Sequence, residues 1–182
     1  MVAEKKVRDK AEIKENADRY KVLFDFYKGE YDALRNDYYK VEDKAAKYLT
    51  SLSVLSGVLL VLFKEVVSDF QLSILSSIKI VVLCVLVLSL SAAWRFIFMT
   101  LKTIQIKTFP YNQEGIDYFN EIDLDTFYYS MSISYVDLIK SYKDAIETKT
   151  QFLNRAFSEI KFSGLGLLFF LTIYFVDNIF LS

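Results

Sequence analysis

The sequence of 182 residues contains no histidine, one proline and one cysteine. Without imidazole, the chain has no catalytic triad of the Ser-His-Asp type and no histidine metal ligand. The lone cysteine, Cys84, excludes a disulfide or a cysteine-based metal site within one chain. The five glycines form no phosphate-binding loop and no dinucleotide fingerprint. We therefore expect no enzyme activity, no cofactor and no metal site.

An excess of charge of one sign is also missing. The chain has 22 basic and 23 acidic residues in an interspersed order. It therefore offers no broad basic surface for nucleic acid, and we expect no direct nucleic-acid partner. Hydrophobic residues make up 53% of the chain and are separated from the charges. Three runs carry no charge at all, namely Tyr48–Phe63, Ile80–Trp94 and Phe162–Val176.

Each of these runs would form a helix about 22–24 Å long, against a hydrocarbon core of roughly 30 Å. Helices of that length also occur in the cores of soluble proteins. Two features favour membrane spans: the runs are apolar on all faces, and cationic side chains that can reach lipid headgroups flank them. These cations are Lys47, Lys64, Lys79, Arg95 and Lys161. The sequence therefore predicts an all-α membrane protein with three transmembrane helices.

The distribution of lysine and arginine predicts an orientation. Twelve of them precede Tyr48 and eight lie between Arg95 and Lys161, whereas two lie between the first two runs. The positive-inside rule then places the amino terminus and the 95–161 segment in the cytoplasm and the carboxyl terminus outside. The first 47 residues are too long and too charged for a cleavable signal peptide, so the first run is predicted to be its own insertion signal.

An apolar stripe with steps of three and four residues runs from Ile13 to Tyr48 and continues into the first charge-free run. This spacing predicts one helix over 12–63, packed in a left-handed coil. We call seven residues of the stripe the stalk seam: Tyr20, Phe24, Tyr27, Tyr31, Leu34, Tyr38 and Val41. Tyrosine suits a helix contact that is only partly dry. Packing of the seam on its own chain and packing on a second copy are both open.

A second stripe over 124–161 predicts another long helix that leads into the third run. The two cytoplasmic helices should form a stalk or coiled-coil bundle. Turn signals cluster at Pro110, Asn112 and Gly115. The expected order is a disordered terminus over 1–11, a cytoplasmic heptad helix over 12–47, a span over 48–63, a short external link over 64–79, a span over 80–101, a cytoplasmic turn region over 102–123, a cytoplasmic helix over 124–161 and a span over 162–181.

The interiors of the three charge-free runs lack ions and prolines, which argues against a solute transporter. They contain small and hydroxyl residues, which let helices approach closely or line a narrow wet path between several chains. The helix-packing or pore-lining candidates are Thr50, Ser53, Ser56, Gly57, Ser89, Ala92, Gly164 and Gly166. Packing within one chain and assembly between chains are both open.

Two stretches, "RNDYYKVEDKAAKYLTSLSVLSG" and "SYKDAIETKTQFLNRAFSEIKFSGLG", resemble bacterial antiphage membrane effectors of the SLATT and Pycsar type. The most specific parts are "KAAKYLT" and "YKDAI…FLNRAFSEIKF", and the third span is an addition to the two-span pattern of that group. The resemblance implies a poised inner-membrane protein that assembles on infection and makes the membrane leaky. It also implies a trigger, either a nucleotide second messenger or a cytoplasmic sensor protein.

The leading hypothesis is therefore a multi-pass effector of abortive infection that oligomerises in the lipid bilayer and permeabilises it when its cytoplasmic helices are triggered. A non-conducting scaffold that recruits a soluble partner through its stalk is the alternative. An accessory subunit of a transport complex is a third reading.

Overall fold

The computed structural model of the chain describes residues 10–68, 73–108 and 113–180. Within these ranges the chain forms four α-helices and no strand, so the predicted all-α fold is confirmed. The helices are α1 (Lys10–Ser68), α2 (Ile74–Leu101), α3 (Gln113–Glu121) and α4 (Leu124–Phe180). Helices α1, α2 and α4 are each long and apolar enough to cross a membrane.

Helix α1 contains no proline and keeps its apolar positions three or four residues apart throughout, so nothing in its sequence ends it early. It is helical without interruption through 44–48, where the charged half meets the apolar half. The predicted single helix over 12–63 therefore lies wholly inside α1.

The ends of α2 and the start of α4 have local causes. The Ser73 hydroxyl accepts a hydrogen bond from the Ser76 backbone N–H at 3.1 Å and so caps the first turn of α2. At the other end, the Lys102 N–H donates to the Phe98 carbonyl at 2.9 Å before the backbone turns extended. The acidic Asp125 lies in the first turn of α4, where the helix dipole favours a negative charge.

The connections differ from those expected. The external link was expected over 64–79, but α1 continues to Ser68 and α2 begins at Ile74. The extension follows from burial, because Val66 lies two heptads beyond Leu52 on the buried line of α1. The expected turn region over 102–123 contains α3, and Phe119 of that helix packs on Phe127 with 4.7 Å between ring centroids. Positions 1–9, 69–72, 109–112 and 181, on which parts of these predictions fall, lie outside the described residues.

The contacts divide the chain into two units. The first combines Met1–Tyr39 with Ile104–Ile146, and we call it the tyrosine-rich unit. Its buried cluster consists of Tyr38, Tyr142 and Ala145, against which Tyr31 and Leu34 of the first segment and three isoleucines of the second segment pack.

The second unit combines Lys40–Thr103 with Glu147–Ser182, and we call it the apolar unit. Helix α1 contributes one buried residue every seven positions to its core, which is the spacing of a left-handed helix contact. These residues are Ala45, Leu52, Leu59 and Val66. Helix α2 adds a buried face that includes Leu83, Leu86 and Leu90, and α4 adds Leu153, Ala156 and Phe170.

Candidate functional site

In the tyrosine-rich unit, aromatic residues of the stalk seam pack against α4 of the same chain, whereas Val41 of the seam packs against the core of the apolar unit. Tyr31 stands between Tyr135 and Tyr142, with ring centroids 5.4 and 5.3 Å away. Tyr38 meets Tyr142 edge-on at 5.8 Å. These distances and tilted angles are those of favourable aromatic pairs. Toward the amino-terminal end of α1 the seam continues in the same way, because the ring centroids of Phe24 and Tyr135 lie 5.6 Å apart. Tyr20 contacts Tyr129 at 5.2 Å.

The contact with the seam also changes the acidity of two phenols on α4. Burial raises the pKa of Tyr142 to about 12, with a further contribution from a hydrogen bond with Tyr31. Burial, followed by the negative charge of Asp32, raises the pKa of Tyr135. A hydrogen bond with Tyr39 raises the pKa of the Arg35 guanidinium, whose central carbon lies 5.9 Å from the Tyr39 ring centroid. The phenols of Tyr135 and Tyr142 therefore stay neutral well above neutral pH.

The apolar unit contains a fully buried lysine. The Lys149 side chain is 0% exposed, and its ammonium lies 2.7 Å from the Glu42 carboxylate. The same ammonium donates to the carbonyl of Thr100 at 2.7 Å and to that of Lys102 at 3.2 Å. Thr100 lies in the last turn of α2 and Lys102 is its C-cap, where a helix presents unsatisfied acceptors and partial negative charge. Lys149 therefore joins α1, α2 and α4 at one point.

A second polar contact lies further along α4. The Ser163 hydroxyl donates to the Ser89 hydroxyl at 2.9 Å, and Ser89 in turn donates to the Glu159 carboxylate at 2.7 Å. Ser89 and Ser163 are buried, so the chain of hydrogen bonds ties α2 to α4 inside an apolar environment. Between α2 and α1, the Trp94 indole N–H donates to the Ser56 hydroxyl at 3.2 Å.

A third polar contact joins the ends of the same helices. Lys79 of α2 is buried and forms an ion pair with Asp177 of α4. Its ammonium also lies 5.2 Å from the centroid of the Tyr174 ring, within cation–π range. The Tyr174 hydroxyl lies 3.5 Å from the carboxylate of Glu65, which brings α1 into the same cluster.

The predicted helix-packing or pore-lining residues separate into two groups. Ser56 and Ser89 make the interhelical hydrogen bonds described above, and Ala92 is half-buried. By contrast, Thr50, Ser53 and Gly57 lie exposed on one side of α1, away from the core of their own unit. The Thr50 hydroxyl donates to the Ala46 carbonyl, and the Ser53 hydroxyl donates to the Leu49 carbonyl.

The two predicted glycines of α4 differ in their surroundings. A Cβ at Gly166 would lie 2.6 Å from Leu86 Cδ2, so the missing side chain lets α2 and α4 come close there. A Cβ at Gly164 would have no neighbour within 4 Å, so that glycine does not serve a close contact.

The sequence prediction did not include Lys149, Glu42, Glu159 or the Lys79–Asp177 pair. A signal for Lys149 was present, because it occupies the position of the α4 stripe four residues after Ala145 and four before Leu153. A charge on an otherwise apolar stripe either ends the contact or finds a buried partner, and here it does the latter.

Every buried side-chain nitrogen or oxygen among the described residues has a hydrogen-bond partner. Within the same ranges, no three histidine, cysteine, aspartate or glutamate side chains lie together in a way that could hold a metal ion. The arrangement is therefore one of helix-to-helix contacts, with polar groups paired inside an apolar bundle. Comparison with protein-family models, curated proteins and solved structures finds no match.

Proposed function

We propose that the chain is a three-span protein of the bacterial inner membrane, with its amino terminus in the cytoplasm and its carboxyl terminus outside. The observation that carries this proposal is the exposure of its most apolar helical segments. Only 17, 28 and 11% of the residues are buried in the most apolar windows of α1, α2 and α4. Apolar surface of that extent is unfavourable in water and favourable in lipid.

The spacing of charges along the three helices supports the same proposal. Lys47 and Lys64 flank the charge-free segment of α1 and lie about 26 Å apart along the helix, at 1.5 Å per residue. Lys79 and Arg95, which flank the charge-free segment of α2, lie about 24 Å apart along that helix. On α4, Lys161 and Asp177 also lie about 24 Å apart. Three similar charge-free lengths fit one hydrocarbon layer of roughly 30 Å, because the four exposed flanking cations can extend toward headgroups, while Lys79 and Asp177 neutralise each other.

As to action, we propose that the protein is an antiphage effector that oligomerises and permeabilises the membrane when its cytoplasmic helices are triggered. The sequence resemblance to SLATT-type and Pycsar-type effectors motivates this assignment. The exposed face formed by Thr50, Ser53 and Gly57 supports it, because small residues on an unpartnered face allow close approach of a second copy. A nucleotide second messenger or a sensor protein would act on the stalk seam, which continues into the first span through α1.

The test is induced expression with a membrane-potential dye and a growth assay. Ser53→Leu and Gly57→Leu should restore potential and growth, since both fill the exposed small-residue face. Val58→Leu is the matched control, because Val58 is 44% exposed on another side of the same helix. It should leave the loss of potential as in the parent chain. Unchanged potential and growth on induction and on phage challenge would count against the effector assignment.

One observation favours the scaffold alternative. The hydroxyls of Thr50 and Ser53 are bonded to carbonyls of their own helix at 3.3 and 3.0 Å, so this face needs no water to satisfy it. A scaffold would keep the membrane polarised and would retain its soluble partner in the Gly57→Leu variant. An accessory subunit would instead co-purify with a larger membrane protein.

A further inference from the structure

A groove with a volume of about 430 Å³ opens between α2 and α4 of the apolar unit. Its lining is aliphatic and aromatic and includes Val81 and Val85 on α2, and Phe162, Leu165, Gly166 and Phe169 on α4. The contact between Gly166 and Leu86 brings the two helices together at the floor of the groove.

An arginine continues the line of the groove. Arg155 precedes Phe162 by seven residues, so the two side chains lie within roughly 20° of each other around α4. Its guanidinium carbon lies 6.0 Å from the ring centroid of Phe96. Phe96 follows Val85 by eleven residues, which returns α2 to the same side within roughly 20°. Among the described residues, no carboxylate forms an ion pair with Arg155.

The length of this composite surface matches half a bilayer. From Arg155 to Phe169 the rise along α4 is about 21 Å at 1.5 Å per residue. One leaflet, with its headgroups, is about 20–22 Å thick. In the proposed orientation, Arg155 lies toward the cytoplasmic headgroups, and the α4 side of the groove lies in the hydrocarbon of the same leaflet. Its α2 side, from Val81 to Leu86, extends beyond the bilayer midplane.

We propose that this groove binds one anionic phospholipid of the cytoplasmic leaflet. The phosphate lies on the Arg155 guanidinium, and one acyl chain lies along the groove from Phe162 to Phe169. The proposal rests on the membrane insertion proposed above. A guanidinium that lies beside an aromatic ring and forms no ion pair is suited to a phosphate oxygen, which it binds through charge-assisted hydrogen bonds.

The experiment is native mass spectrometry of the full chain, purified in detergent and titrated with phosphatidylglycerol or phosphatidylcholine of identical acyl chains. The wild-type chain should retain one phosphatidylglycerol in preference to phosphatidylcholine. Arg155→Gln should weaken phosphatidylglycerol binding about tenfold, as expected for a lost charge-assisted contact, and leave phosphatidylcholine binding unchanged. Val85→Trp, which fills the groove, should weaken binding of both lipids.

Two matched controls separate the site from general lipid contact. Lys44→Gln removes an exposed cation from α1 of the same unit and should bind both lipids as the wild type does. Val61→Trp adds the same bulk at an exposed position of α1 and should also have no effect.

Equal phosphatidylglycerol binding by Arg155→Gln and Lys44→Gln would overturn the proposal. A Val85→Trp chain that changes its assembly mass but keeps its lipid would show that the groove is a protein contact, which also overturns it. Both results leave membrane insertion intact. Purification of the wild-type chain as a soluble protein without detergent would instead overturn the insertion itself.

Discussion

The ammonium of Lys149 and the carboxylate of Glu42 lie 2.7 Å apart, although the lysine side chain has no exposed surface at all. Such a pair contributes little net stability, because desolvation of the charges opposes their attraction. The pair instead fixes the register of α1 against α4, since any sliding of one helix along the other would leave an unpaired charge inside the apolar unit. The two carbonyls at the end of α2 extend that registry to a third helix.

Removal of one partner of this pair should therefore destabilise the apolar unit strongly. We expect Glu42→Leu to lower the free energy of unfolding by about 3–5 kcal/mol, because it leaves a buried ammonium without its carboxylate. Lys149→Met should have a smaller effect, because Glu42 is 32% exposed and can be hydrated. Thermal unfolding in detergent, followed by circular dichroism, measures the change.

The chain supplies a matched control for that experiment. The Lys47–Asp43 pair has the same 2.7 Å separation, but both of its side chains are mostly exposed. Lys47→Met should change stability by less than about 1 kcal/mol. The double variant Glu42→Leu with Lys149→Met should recover most of the stability lost in Glu42→Leu alone. If the double variant is no more stable than the single one, the pair does not act as a coupled unit.

Alkaline pH should weaken the tyrosine-rich unit. The pKa of Tyr142 is raised to about 12 from an ordinary value of 10.0, so the folded chain holds this proton longer than the unfolded chain does. The stabilising effect is complete below pH 10 and is lost as the pH rises toward 12. The slope should approach ~1.4 kcal/mol per pH unit for this one group. The raised pKa of Tyr135 acts in the same direction.

Tyrosine-to-phenylalanine variants test whether ionisation of the Tyr142 phenol causes this loss of stability. In Tyr142→Phe, the fall in unfolding free energy between pH 10 and pH 12 should be shallower than in the wild type. Tyr129→Phe is the control, because Tyr129 is exposed and lies on the same helix. It should keep the wild-type slope, and identical slopes for Tyr142→Phe and the wild type would contradict the account. Chemical denaturation at a series of pH values gives the slopes.

The two neighbouring glycines of α4 should respond differently to alanine. Gly164→Ala adds a Cβ into open space, so it should be neutral or stabilise the helix by up to about 1 kcal/mol. Gly166→Ala places its Cβ 2.6 Å from Leu86 Cδ2, so the leucine must move. We expect it to be less stable than Gly164→Ala by about 1–3 kcal/mol. Thermal unfolding in one detergent compares the two, and equal midpoints would show that α2 and α4 do not approach closely at Gly166.

The sequence predicted the helices best where one apolar periodicity extends over a long segment. The stripe from Tyr20 to Val41 predicted a continuous α1, and the second stripe predicted a helix beginning at residue 124, where α4 starts. The partner of the first stripe could not be predicted, because a heptad pattern is the same whether it packs on its own chain or on another. The aromatic pairs between Tyr31 and α4 supply that partner.

The local sequence does not show which charged side chains are buried or which residues they pair with. The lysine at position 79 reads as the flank of a span, yet its partner Asp177 lies 98 residues away and buries it. Lys149 and Glu42 are separated by 107 residues, so a periodic pattern indicates the position of each charge but not its partner. Helix α3 was missed because a nine-residue helix gives too few turns for a period to stand out beside Gly115.

Cysteine labelling tests the orientation that the charge asymmetry predicts. In a Cys84→Ala background, Ser73→Cys marks the start of α2 and Asp123→Cys marks the residue before α4, and both positions are exposed. With the basic segments in the cytoplasm, a membrane-impermeant maleimide should label Ser73→Cys in intact cells. It should label Asp123→Cys only after lysis. The unmodified chain is the control, because Cys84 is exposed on α2 within an apolar segment and lipid should shield it until detergent is added. Labelling of Asp123→Cys but not Ser73→Cys in intact cells would invert the topology, and labelling of Cys84 in intact membranes would place α2 outside the bilayer.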